Sequence, residues 1–260
     1  MQREKRRFSD FLILGLALAA LGCRPAWATL IAYEGFTPSF PVFANGGSGF
    51  SGPWTTLAGF PSYVPGDGSL CYPKLPSSPG SISGFPSGAT VSYPIANRIL
   101  AQPIGADNTT AYISFLIQPS GPFSSQNEYF GLSFGGLFVG KPGMNANLQY
   151  VVETFGGGGQ VPSGKPVLPH RVALLVVKIQ FLPGNDLVTL YVDPTPGQPE
   201  PASGVTKSDL DLGMVSTIQI STGLVTSGVT IDEIRVGTTF ADVVPAVSFP
   251  ASILNCLSEN

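Results

Sequence analysis

The chain has 260 residues, of which only 11% are charged, and 32 are Gly and 25 Pro. About 25% charge is ordinary for a soluble chain, and a net charge of −3 argues against the basic surface that nucleic acid or an anionic membrane requires. A hydrophobic share of 43% excludes wholesale disorder, and Gly and Pro scattered between short apolar runs are the pattern of an all-β sandwich or barrel.

Met1–Ala28 reads as an export signal. Arg3, Lys5, Arg6 and Arg7 precede an uncharged apolar run, Phe11–Leu21, whose 11 residues are too few to span the ~30 Å core of a bilayer. Ala26-Trp27-Ala28 satisfies the small-x-small rule for cleavage after Ala28. Leu21-Gly22-Cys23 is a competing, imperfect lipoprotein box. Beyond Ala28 there are 8 Lys/Arg and 14 Asp/Glu, a net charge of −6, and no transmembrane segment is expected. Cys71 and Cys256 also lie beyond Ala28. Export permits a disulfide between them, and free thiols stand as the alternative.

Leu30–Phe36 is the first predicted strand. Thr37–Leu57 and Gly59–Gly88 are rich in Gly, Pro and Ser and hold Phe50, Trp54, Tyr63, Tyr72 and Phe85. Long loops of this kind are where function varies. Ala111–Gln118 is a strand, Glu128–Val139 one or two more, and Asn147–Thr154 pairs with the segment after the Gly156–Gly159 run. Arg171–Pro194 carries the strongest signal. Ala173, Leu175, Val177, Ile179 and Phe181 alternate with Lys178 and Gln180 facing the other way. After Pro183-Gly184-Asn185-Asp186 come Val188, Leu190 and Val192, alternating with Thr189, Tyr191 and Asp193. This is a hairpin with one buried and one wetter face. Pro194–Pro201 is a surface loop, Ser216–Ser221 and Val229–Gly237 are late strands, and Pro245–Asn260 is a tail outside a domain of residues 29–244. There is no amphipathic helix of three turns and no solenoid period.

Three motifs invite chemistry and fail on context. Gly47–Gly52 matches GxGxxG, but Pro53-Trp54 comes next where a dinucleotide site needs a helix. Gly159–Lys165 nearly matches a phosphate-binding loop, but Pro166 stands where a Ser or Thr would hold Mg²⁺. Gly131–Gly135 matches GxSxG, and Ser133, Glu153 and His170 occur in the chain order of a hydrolase triad. Its flanks continue as strand, however, and His170 is the sole histidine, beside Pro169. One histidine and three cysteines without ligand spacing exclude the usual zinc sites.

Two carboxylates sit among apolar neighbours: Glu34 with Leu30, Ala32 and Phe36, and Asp232 with Ile234 and Val236. A charge on an apolar face needs a partner. First and last strands are neighbours in many sandwiches, so Glu34 and Asp232 are the candidate ligands of a structural Ca²⁺. The alternative partners are Arg98, Arg171 or backbone N–H groups. Trp54, Tyr63 and Tyr72, in the early loops, are the candidate residues for stacking on sugar rings, with ordinary packing of their apolar bodies as the alternative.

YEGF at 33–36, GGSGFSGPW at 46–54, the hairpin at 172–197 and IDEIRVGTTFADVVP at 231–245 together resemble exported concanavalin A-like, LamG-like jelly-roll proteins of planctomycete and verrucomicrobial type. The resemblance spans nearly the whole chain after Ala28. It implies two packed antiparallel sheets and an extracellular or cell-surface location. Many such proteins end in a PEP-CTERM sorting tail, and none is evident after Pro245. The expected function is non-catalytic binding of polysaccharide or another cell-surface component. A glycan hydrolase or lyase on the same fold and a purely structural or adhesive surface protein are the alternatives.

Overall fold

The computed structural model describes residues 30–36, 46–58, 63–65, 68–84, 95–123, 127–143, 148–223 and 228–247. In chain order the strands are β1 (Leu30–Glu34), β2 (Thr55–Ala58), β3 (Tyr63–Pro65), β4 (Ile82–Gly84), β5 (Ile95–Ile104), β6 (Thr110–Pro119), β7 (Tyr129–Phe134), β8 (Leu137–Lys141), β9 (Gln149–Thr154), β10 (Gly158–Pro166), β11 (Ala173–Gln180), β12 (Leu187–Val192), β13 (Val205–Lys207), β14 (Val215–Gly223) and β15 (Val229–Gly237). A single helical turn, α1 (Phe240–Val243), comes last. The strands form two antiparallel sheets. The eight-stranded sheet runs β13-β12-β11-β6-β15-β4-β3, with β1 also on β15, and the seven-stranded sheet runs β10-β9-β8-β7-β14-β5-β2. This is the expected all-β, two-sheet jelly-roll sandwich.

The predicted hairpin is β11–β12, paired from Leu175↔Val192 to Gln180↔Leu187. The Asp186 carboxylate clasps its turn, accepting from the Leu182 and Leu212 backbone N–H groups at 2.9 and 2.8 Å. Inward residues of both sheets make one core, with Phe115, Val177, Ile179, Ile231 and Val236 facing Phe130, Leu132, Val152, Ile218 and Ile220. The sequence pattern does not announce β5. Its inward positions are Ala96, Arg98 and Leu100, and the outward Ile99 is exposed. A charge inside and an isoleucine outside conceal its period of two.

The wetter face predicted for β11 is half covered. Leu174 and Val176 join Tyr112, Leu116 and Tyr191 in a second apolar cluster, closed over by Leu70, Leu75, Phe240, Val243 and Val244. Residues 68–75 and the segment after β15 thus add a third layer over the centre of the eight-stranded sheet. Thr239 caps α1 with a reciprocal bond to Asp242, so the turn forms although it is too short to be stable alone. The predicted tail does not begin at Pro245, since Val247 N donates to Lys74 O at 3.0 Å. Residues 248–260 lie outside the described residues.

β1 does pair with β15, Glu34 opposite Ile234. The alternation read for Asp232, Ile234 and Val236 is corrected by a bulge. Glu233 takes a left-handed φ of 55°, and the register slips between Asp232 and Arg235. One extra residue reverses the facing of the residues before it. Ile231, Ile234 and Val236 therefore enter the core, while Asp232, opposite Leu116, points outward. The first two GxGxxG glycines are structural: a Cβ on Gly47 would lie 2.2 Å from Tyr33 O and one on Gly49 1.9 Å from Ile31 O, where Ser48 bridges to Tyr33. Cys71 is disulfide-bonded, with its partner outside the described residues, so it is not a free thiol.

Candidate functional site

The residues predicted to act together are dispersed. Trp54 is 2% exposed, in the core. Its Nε1 donates to Glu34 Oε2 at 3.1 Å and its ring stacks on Phe36, so it is no stacking platform. Tyr63 opens β3, opposite Gly84, and its side chain lies outside what the structure describes. Tyr72 packs half-buried on the second apolar cluster, over the eight-stranded sheet. Burial, then the nearby Asp193 charge, pushes its phenol well above the ordinary range.

Glu34 and Asp232 do not converge on one cation, because they lie on opposite faces of the sheet. Glu34 points inward and pairs with Arg98, whose guanidinium lies 4.0 Å over the Phe50 ring. Burial lowers Arg98 to about 10, still charged at neutral pH. Asp232 points outward and accepts from Ser69 Oγ (2.8 Å), Leu70 N (2.9 Å) and Glu233 N (2.7 Å). It therefore fastens the covering loop to the sheet. Glu233, beside it, takes Tyr33 OH and Ser78 N and pairs with Arg235.

The triad order Ser133, Glu153, His170 also separates in space. His170 lies in the turn before β11, at the end of the other sheet, its N donating to Pro119 O. Ser133 and Glu153 do share one face of the seven-stranded sheet. Strand pairing draws one row across the seven-stranded sheet. Glu153 lies opposite Phe138, Phe138 opposite Ser133, Ser133 opposite Gln219, Gln219 opposite Asn97, and Asn97 opposite Thr55. Their chain neighbours Val152, Leu132, Ile218 and Ala96 are in the core, so alternation sends the row to the outer face.

The row is graded in exposure. Thr55 is exposed, Asn97 and Gln219 are half-buried, and Ile99, opposite Thr217, is 55% exposed. Toward β9, Ser133, Phe138 and Glu153 are buried. Gln219 Nε2 donates to Ser221 Oγ at 2.6 Å, which lies 3.2 Å from Ser133 Oγ. Tyr129 stands edge-on to Phe138 at 6.1 Å. Gly131 and Gly140, opposite one another in the next row, leave that row without side chains on two strands.

Two acceptor atoms of the row, Asn97 Oδ1 and Glu153 Oε2, are buried and meet no donor among the described residues. Burial raises Glu153 to about 7, against the Gln160 amide and the Lys207 charge, which pull it down. Such a row can accept hydrogen bonds from hydroxyl groups and offer amide N–H donors. Among the described strand residues of this face, Glu153 is the only acid. Sequence reasoning points to Ser133 and Glu153 for a triad and misses Asn97 and Gln219, which belong to no motif. Only cross-strand register assembles them.

No family model matches the chain, and no curated protein matches it in sequence. Solved structures do match in shape. The carbohydrate recognition domain of Emp47p is 10% identical, with 80% of this chain covering 95% of that one at a TM-score of 0.47. An endo-1,3-beta-glucanase from Streptomyces sioyaensis is 10% identical over 84% of this chain and 99% of that one, TM-score 0.47. Lectin II from Ulex europaeus is 12% identical over 72% and 98%, TM-score 0.36. At such identities and TM-scores the likeness is one of overall shape, and the two-sheet sandwich is established by the chain's own strand pairing.

Proposed function

We propose that this is an exported, non-catalytic jelly-roll module that binds polysaccharide across the outer face of its seven-stranded sheet. The observation that carries the reading is the polar row whose accessible side is formed by Thr55, Asn97 and Gln219, with Asn97 Oδ1 and Glu153 Oε2 meeting no donor among the described residues. A buried acceptor without a donor costs roughly 1–3 kcal/mol, and the hydroxyls of a saccharide supply such donors. β5 and β9 are four strands apart, roughly 19 Å at ~4.8 Å per strand. That span suits an extended chain of several rings lying across the strands. Export rests on the basic, apolar and small-residue pattern of Met1–Ala28, and the Cys71 disulfide accords with an oxidising compartment. Membership of the planctomycete-type lineage rests on the sequence resemblance alone.

The alternative, a glycan hydrolase, draws on Glu153, whose value near 7 suits a general acid. It needs a second carboxylate about 5–10 Å away, and the described strand residues of this face offer none. The test is co-sedimentation of residues 29–260 with a panel of insoluble polysaccharides, assaying the same tubes for released sugar ends. Retention without release, weakened at least about tenfold by Asn97→Ala with Gln219→Ala, is the expected result. Release of sugar ends that Glu153→Gln abolishes would move the function to the alternative, and neither retention nor release would refute both.

A further inference from the structure

On the opposite side of the molecule, the outer face of the eight-stranded sheet holds a depression of about 440 Å³. That is within the ~300–1,000 Å³ usual for small-molecule sites. Its floor is two cross-strand pairs of β6 and β11, Thr110 with Gln180 and Tyr112 with Lys178. One wall is Gln198–Glu200, from the Pro-rich loop after β12, and the other is Thr238–Ala241, where the chain leaves β15.

Glu200 organises the pocket. Its carboxylate accepts from Tyr112 OH at 2.7 Å, Tyr191 OH at 2.5 Å and Lys178 Nζ at 2.9 Å. Burial opposes its charge, but the bonds from Tyr191, Lys178 and Tyr112 prevail and hold the carboxyl below its ordinary value. Burial, and then Glu200 itself, keeps both phenols protonated and donating. The two formal charges of the pocket therefore neutralise one another. What remains for a ligand is an aromatic edge from Tyr112, the spare N–H groups of Lys178, the one lone pair left on Glu200, the amides of Gln180 and Gln198, and the hydroxyls of Thr110, Thr238 and Thr239.

We propose that this pocket is a second binding site, specific for a small neutral saccharide or the end of a glycan chain. An anion would meet Glu200 and a cation Lys178, each already satisfied by the other. A ligand rich in hydroxyls both donates to the carboxylate and accepts from the amides and the ammonium. The inference stands independently of the row on the seven-stranded sheet, which shares no residue with it.

The experiment is ligand-observed NMR titration of residues 29–260 with D-glucose, D-galactose, D-mannose, D-xylose and N-acetylglucosamine, with sodium sulfate as competitor. At least one sugar is expected to bind and sulfate to leave it in place. Gln180→Ala and Gln198→Ala, both on the pocket surface, should each weaken the affinity about tenfold, and Asn97→Ala should leave it unchanged. Binding by no sugar, binding that sulfate displaces, or binding that Asn97→Ala removes while Gln180→Ala does not would overturn the assignment. The last result would at the same time support the row on the other face.

Discussion

Glu153 is buried, with one carboxylate oxygen that meets no donor among the described residues, and its protonation is set by the fold. Its ordinary value of 4.5 rises to about 7, chiefly by burial. The unfolded chain therefore loses the proton first as pH rises. Native stability from this group is full below about pH 4.5, falls through the interval to about pH 7, and is flat above it. Chemical denaturation should show Glu153→Gln close to the parent at pH 4.5 and more stable than it at pH 8. A difference of the opposite sign would mean that the carboxylate is held ionised. The Glu34–Arg98 pair behaves differently, because both members are inside. Removing one, as in Arg98→Met, leaves an uncompensated charge between the sheets and should cost about 3–5 kcal/mol in urea denaturation. Glu34→Gln combined with Arg98→Met should recover a large part of that loss.

At the level of elements, β6, β11 and β12 are revealed in the sequence by keeping their period of two between turn residues. β5 breaks that pattern with Arg98 inside and Ile99 outside, and its pairing with β14 and β2 decides its state. The bulge at Glu233 is a single-residue event that reverses Asp232, and no local composition announces it. The same limit applies to function. The acids and the aromatics are visible as residues, but the row from Glu153 to Asn97 exists only once five strands are in register, and Glu200 meets Tyr112 only when its loop folds back. The close crossing of residues 46–50 over β1 gives a direct test. Gly49→Ala forces a side chain into a left-handed φ of 78° and against Ile31 O, so thermal melting should register a loss of at least about 2 kcal/mol. Over the eight-stranded sheet, Phe240 packs edge-on with both Tyr112 and Tyr191. Phe240→Ala should cost about 3–5 kcal/mol and loosen the segment after β15, read as faster amide exchange at Asp242 and Val244.

The whole molecule is a sandwich with an added layer on one side, and that layer is tied down by Asp232 and by the second apolar cluster and carries the disulfide-bonded Cys71. Reduction should therefore act on the covering layer rather than on the inter-sheet core. In denaturation with and without reductant, the loss should be about 2–5 kcal/mol, and Cys71 should react with a thiol reagent only after reduction. The pairing of Leu30 with Gly237 across β1 and β15 has a topological corollary. The first strand lies beside the last in one sheet, so the strand path closes on itself like a cassette. A short linker could join the two ends, and a new opening at Gly184, in the exposed turn between β11 and β12, would give a circular permutant with every strand pairing retained. By the same geometry the unit can be spliced into a loop of a host protein without prising that loop's ends apart.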